Sequence, residues 1–129
     1  MIFGIGLDLV AVERFSLIHL SERKAAWFAR RVFTETEIAY AASRRRPQQH
    51  LAGAFAAKEA FRKALGEGAP WREVGVVHDA GGAPALRLGE RLQARLSALG
   101  EVAVHLSITH TGENAAATVI LERPERPCG

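Results

Sequence analysis

Apolar Phe3, Ile5, Leu7 and Leu9 alternate with Ile2, Gly4, Gly6 and Asp8, the period of a β-strand over about residues 2–10. This pattern sends the odd positions to the core and places Asp8 on a face with two glycines. A carboxylate beside two bare backbone positions is open to close approach by a bulky ligand; its plainer role is to cap the helix that follows at Val12. From Val12 to Ser43 the period is helical but broken, giving helices over about 12–20, 22–31 and 35–44. Thr34-Glu35-Thr36-Glu37 is a capping box that opens the third.

Gln48 to Leu65, rich in Ala, Glu and Lys, predicts the strongest helix, stopped at Gly66-Glu67-Gly68-Ala69-Pro70. Strands at Val74 to His78 and Pro84 to Leu88 flank a hairpin-type loop at 79–83. A helix over about 89–99 follows, ended by Gly100. Then come an alternating strand over 102–109, a turn at 111–114 and a closing strand over 115–122. Strands at both ends with helices between them predict an α+β domain, a mostly antiparallel sheet with helices packed on it. Residues 1–123 form one domain in this reading, and 124–129 a frayed tail.

Length and composition narrow the class. At 129 residues, 48% apolar and 24% charged, with mean hydropathy near zero, the chain reads as one ordinary soluble domain. Its only cysteine, Cys128, excludes a disulfide framework or a cysteine metal knuckle. No basic segment and apolar run precede the first strand, so the expected compartment is the cytoplasm, with no membrane attachment. Residues 1–63 carry 11 Lys/Arg against 6 Asp/Glu, a balance of +5, whereas residues 64–129 stand at −2. A basic front half points to an acidic partner: nucleic acid, a phosphorylated small molecule or an acidic protein. Only three of the 17 basic residues are lysine, and two of them, Lys58 and Lys63, flank Glu59. That placement hints at chemistry for which guanidinium is no substitute.

On the strongest helix Ala52, Ala56, Glu59 and Lys63 are spaced 4, 3 and 4, one stripe with a carboxylate and an ammonium at its end. The bland reading is an exposed i,i+4 ion pair worth a few tenths of a kcal/mol. The sharper reading joins Glu59 to Asp8: two carboxylates and a lysine suit a hard divalent cation such as Mg²⁺ whose shell is completed by water and phosphate. The five histidines lack zinc spacing. Gly4-Ile5-Gly6 is no dinucleotide fingerprint, because it lies inside the strand and Leu9 stands where the third glycine belongs. Walker and nucleophile-elbow motifs are also missing. Arg14, Arg23, Lys24, Arg30 and Arg31, interleaved with Phe15, Ile18, Trp27 and Phe28, fit either a dock for an acidic amphipathic helix or a solvated face.

Several segments together resemble the holo-[acyl-carrier-protein] synthases, small bacterial 4′-phosphopantetheinyl transferases. These are Gly4-Ile5-Gly6-Leu7-Asp8 with Arg14, Phe33-Thr34-Glu35-Thr36-Glu37, Leu51 to Gly66 with its Lys58-Glu59-Ala60 core, and His105-Leu106-Ser107-Ile108-Thr109-His110-Thr111. The resemblance runs from Met1 to about Arg123. It implies transfer of the phosphopantetheine arm of coenzyme A to a serine of apo acyl carrier protein, releasing adenosine 3′,5′-bisphosphate. It also implies that Asp8 and Glu59 hold Mg²⁺ and that Lys63 contacts the phosphates. Lys58, Gly66, Ser107, Thr109 and His110 would line the coenzyme A site. Arg14, Ile18, Arg23, Lys24 and Phe28 would receive the carrier protein. A homotrimer with sites between neighbouring subunits is implied as well. Ala54 departs from the pattern, since many relatives carry arginine there; this implies either weaker coenzyme A binding or a contact supplied by Arg44 to Arg46. A basic nucleic-acid-binding module and an inactive carrier-binding scaffold are the rival readings, although no aromatic stacking set or recognition helix supports the first.

Overall fold

The computed structural model describes residues 1–19 and 23–125, with side chains described for 1–16 and 26–125. Its strands are β1 (Ile2–Ala11), β2 (Val74–His78), β3 (Pro84–Leu88), β4 (Ala103–His110) and β5 (Asn114–Glu122). Its α-helices are α1 (Arg23–Val32), α2 (Glu35–Ala42), α3 (Pro47–Leu65) and α4 (Glu90–Ala98). The strands form a three-stranded sheet in the order β1-β5-β4 and a separate β2-β3 hairpin, every described pairing antiparallel. The predicted α+β class holds.

Helix α3 is the axis of the domain. Pro47 opens it, where a missing N–H is harmless, and Gly66 closes it in the left-handed conformation at φ 80°. Ala52, Ala56 and Ala60 have no exposed surface. These small side chains bring the helix backbone down onto the sheet, so Ala52 and Ala56 are not an open track beside the charges.

The two faces of β1 are the reverse of those predicted. Ile5, Leu7 and Leu9 are 66%, 64% and 68% exposed, while Gly6 and Val10 are buried against α3. The glycines explain the inversion. A Cβ on Gly6 would lie 1.8 Å from the Ala60 carbonyl oxygen, and one on Gly4 would lie 2.2 Å from that of Ala64. Helix backbone occupies that space, so no side chain fits.

The segment expected as a first α-helix is a 3₁₀ helix, Val12–His19. Val12 and Phe15, three apart, are both buried, which matches a three-residue turn in which side chains eclipse. The Val12 N–H donates to the Glu113 carbonyl at 2.8 Å, and Asp8 Oδ1 accepts from Lys63 Nζ at 3.0 Å instead of capping this turn. The capping box forms as predicted, with Thr34 N–H donating to Glu37 Oε1 and Glu37 N–H to Thr34 Oγ1. Among the described residues no helix is long and apolar enough to cross a membrane. The tail assigned to 124–129 lies outside the described residues from 126 onward.

Candidate active site

Because Gly4 and Gly6 seat β1 on α3, the next residue on that face, Asp8, meets the C-terminal half of the helix. Lys63 Nζ donates to Asp8 Oδ1 at 3.0 Å and to the Leu7 carbonyl at 3.0 Å. The Asp8 side chain is 15% exposed and that of Lys63 53%, so the ammonium still faces solvent. Glu59, one turn before Lys63, is partly exposed, and its Oε1 accepts from Arg62 Nη1 at 3.3 Å. The i,i+4 pair is therefore not the one that forms: Lys63 bridges to the strand, and Glu59 turns to Arg62.

Among the described residues no group of three or more His, Cys, Asp or Glu converges as a metal cage. A cation at Asp8 and Glu59 would rest on hard carboxylate oxygens, without imidazole or thiolate. That donor set fits Mg²⁺, which keeps several waters and shares phosphate oxygens with its substrate.

Lys58, expected to line the coenzyme A site, points into the core instead. It is fully buried, with Nζ against Glu37 Oε1 at 2.6 Å and donating to the Trp71 and Val74 carbonyls at 3.0 and 2.5 Å. Burial pushes its ammonium below the ordinary lysine range, and the Glu37 carboxylate partly offsets this. Glu37 in turn accepts from Val76 N–H at 2.9 Å. One buried ion pair thus ties α2, α3 and β2 together.

The remaining candidates separate by face. Register places Asp8 opposite Ala117, itself opposite Ile108, on the α3 side of the sheet. Leu7, Thr118 and Ser107 form the adjacent row, and Leu9, Ala116 and Thr109 another, both on the uncovered side. Ser107 and Thr109 are accordingly exposed and do not join Asp8 within one chain. His110 lies on the α3 side. It belongs to a cleft of about 160 Å³ that also takes in Tyr40, His50, Ala54, His78 and Gly82. Ring centroids of His50 and His110 are 5.6 Å apart, His78 stacks on Tyr40 at 3.8 Å, and the Arg44 guanidinium lies 4.5 Å from the Tyr40 ring. Arg44 lines not this cleft but a neighbouring hollow of about 390 Å³, which shares Tyr40, His78 and Gly82 with it. Burial lowers the pKa of both His50 and His78. A larger hollow of about 570 Å³, under Leu86, Leu96 and Val104, carries none of the candidates.

Gly66 is exposed at the end of α3, next to Arg62 and Lys63 in sequence, and a Cβ there would meet nothing. Arg14 is exposed with its guanidinium 5.3 Å from the Phe55 ring. Phe28 turns inward against the core, and Trp27, 59% exposed beneath Arg31, is the aromatic that α1 presents. Helical spacing alone does not separate two adjacent aromatics, so the sequence pattern does not single out Trp27. The side chains of Ile18, Arg23 and Lys24 lie outside the described residues.

Residues 4–119 match the model of the 4′-phosphopantetheinyl transferase superfamily. The chain is 41% identical over 128 residues to a holo-[acyl-carrier-protein] synthase of Geobacter sulfurreducens, covering 96% of this chain and all of the relative. It is 42% identical to the Thermus thermophilus synthase over 129 residues, the whole of both chains. A crystal structure of the Neisseria meningitidis synthase superposes with a TM-score of 0.83 at 36% identity, covering 95% of this chain and all of that one. The Bacillus anthracis synthase in complex with CoA (3′,5′-ADP) superposes at 0.75 and 35% identity, over 96% and 99%. Matched along its length in sequence and in fold, the chain belongs to the holo-[acyl-carrier-protein] synthase family.

Proposed function

We propose that this enzyme transfers the 4′-phosphopantetheine arm of coenzyme A to a serine of apo acyl carrier protein, with Asp8 and Glu59 as Mg²⁺ ligands and Lys63 on the phosphates. The observation that carries the site assignment is the Lys63–Asp8 contact, which sets a lysine and a strand carboxylate at one end of the helix that bears Glu59. In the reaction the serine oxygen bonds to the arm-bearing phosphorus. The bond from that phosphorus to the bridging pyrophosphate oxygen breaks, and adenosine 3′,5′-bisphosphate leaves. The hydroxyl proton departs to Glu59 directly or through a water. Mg²⁺ held by Asp8 and Glu59 would supply neutralisation of the pyrophosphate charge. Lys63, half-exposed and anchored to β1 through Asp8 and the Leu7 carbonyl, supplies a fixed positive charge where the leaving group gains its negative one.

The uncovered sheet face supports a homotrimer with sites shared between subunits. Ile5, Leu7 and Leu9 form an apolar stripe that one chain leaves in water. Ser107 and Thr109 lie on that same face, away from Asp8 of their own chain. A neighbour packed there would bring its own groups to Ser107 and Thr109; His110, on the other face at the end of the same strand, and Gly66 would add to the coenzyme A site from beyond that face. Arg14 and Trp27, both exposed, would receive the acidic carrier protein; Ile18, Arg23 and Lys24 belong to the same stretch of sequence.

The test is to incubate the chain with coenzyme A, Mg²⁺ and apo carrier protein and to weigh the carrier. A gain of ~340 Da, the mass of the arm under covalent transfer, is expected. No gain sinks the proposal and leaves the binding scaffold. A nucleic-acid binder would instead show steeply salt-dependent, Mg²⁺-independent binding to random DNA.

A further inference from the structure

Glu59 could pair with Lys63 one turn along α3, and on an isolated helix Glu before Lys at i,i+4 is the favoured arrangement. It pairs with Arg62 instead. The guanidinium carbon of Arg62 sits over the Trp71 ring, 4.2 Å from its centroid, and its Nη1 reaches Glu59 Oε1 at 3.3 Å. Trp71 is itself held from two sides. Its ring stacks on Phe55 at 5.3 Å and 19°, and its carbonyl accepts from the buried Lys58 Nζ at 3.0 Å. A fixed ring therefore fixes a planar cation, and the cation fixes one carboxylate oxygen.

We infer that Arg62, pinned on Trp71, is a positioning residue for Glu59: it takes Oε1, keeps the carboxylate off Lys63, and leaves Oε2 for the divalent cation. Two charge pairs are kept apart by this device. Lys63 remains on Asp8, where it faces the phosphates, and Glu59 remains on Arg62. Without Arg62 the carboxylate is free to swing to Lys63, occupying a metal ligand and the phosphate-binding ammonium in one contact. Hydrogen-bond partners of a ligating carboxylate orient it, and their loss typically weakens metal binding about 10–100-fold. The partly exposed setting of this pair, with side chains 30% and 29% exposed, places the effect at the lower end. Lysine at position 62 would keep the charge but lose the planar fork that both stacks and bonds.

This inference rests on the reading of Asp8 and Glu59 as metal ligands, and a binding measurement separates the two. Mn²⁺ is titrated into the full chain with coenzyme A and no carrier protein, so that no turnover occurs, and free Mn²⁺ is followed by its paramagnetic resonance signal. Arg62→Ala should bind Mn²⁺ at least threefold more weakly than the wild type, at an unchanged unfolding midpoint. Trp71→Leu should move in the same direction, and the double variant should be no weaker than Arg62→Ala alone. Binding by Arg62→Ala that is less than threefold weaker, or tighter, overturns the inference, as does additivity of the two substitutions. A wild type that binds no Mn²⁺ overturns the metal reading itself, and the inference with it.

Discussion

Lys63 Nζ lies 3.0 Å from Asp8 Oδ1, so an ammonium on α3 is joined to a carboxylate 55 residues earlier in the chain. The contact is too exposed to be explained by stability. With 53% of the Lys63 side chain in solvent, such a pair contributes at most about 1 kcal/mol. Lys63→Ala should therefore change unfolding free energy by less than ~1 kcal/mol while lowering transfer rate about 10²–10³-fold, the usual effect of losing a fixed charge at a leaving group. Glu59→Ala should abolish Mg²⁺-dependent transfer with the fold intact. Rates by carrier mass and stability by urea denaturation check both. Activity within about threefold of wild type in either variant, under 1 kcal/mol of transition-state stabilisation, removes that residue from the machinery.

Gly6→Ala should fail for a different reason. Its Cβ would stand 1.8 Å from the Ala60 carbonyl oxygen, helix backbone that cannot swing aside. The strand must lift off α3, carrying Asp8 from Lys63. Loss of more than about 3 kcal/mol, or no soluble protein, is expected. Gly112→Ala is the control, with nothing within 4 Å of the added carbon, and should stay within about 0.5 kcal/mol. Equal urea midpoints for the two variants would show that the close approach of β1 to α3 is not needed.

The same glycines mark where the sequence is legible and where it misleads. Thr34 and Glu37 announce the start of α2 because a capping box is local chemistry. Val74–His78 and Pro84–Leu88 are found because a short loop forces an antiparallel partner. Period-2 alternation in β1 gives the strand but not which face is inward. Ile5, Leu7 and Leu9 look like core, yet they are exposed, and the glycine side is the packed one. Lys58 misleads in the opposite way: adjacency to Glu59 suggests chemistry, but one helical step turns it into the core, onto Glu37. Spacing along a helix ranks faces only when something outside the helix is known.

Lys58→Ala should destabilise by about 3–5 kcal/mol, since it strands the Glu37 carboxylate in the interior. Adding Glu37→Gln to the alanine variant should recover part of that loss, because an amide carries no charge to leave unpaired. Urea unfolding of the single and double variants checks this. A loss below 1 kcal/mol for Lys58→Ala would mean that the pair does not tie α2 to α3.

Leu7→Glu puts a carboxylate in the middle of the exposed stripe of Ile5, Leu7 and Leu9 without touching the face that packs on α3. In sedimentation, wild type should run as a trimer and Leu7→Glu as a folded monomer with strongly reduced transfer. A monomeric wild type, or a trimeric variant, would show that this face is not the subunit interface.

The histidines of the Ala54 cleft give the chain an acid-sensitive side. Burial lowers the pKa of His50 below 6.5, and His110, Arg44 and His78 add repulsion. Burial and Arg44 lower that of His78, which Asp79 partly restores. The folded chain therefore takes up these protons at lower pH than the unfolded chain, which binds them near 6.5. Where the unfolded state holds more protons, stability rises with pH. The contribution is fully present above the unfolded value and falls as pH drops below it toward the folded pKa. His50→Gln/His78→Gln removes both groups and shifts stability by a constant, because the stack of His78 on Tyr40 is lost. Against that constant, the Tm of the double variant relative to wild type should rise as pH is lowered from about 7.5 to about 5.5. Calorimetry at matched ionic strength decides the point: a gap that stays flat or moves the other way means that these imidazoles do not favour the unfolded chain in acid.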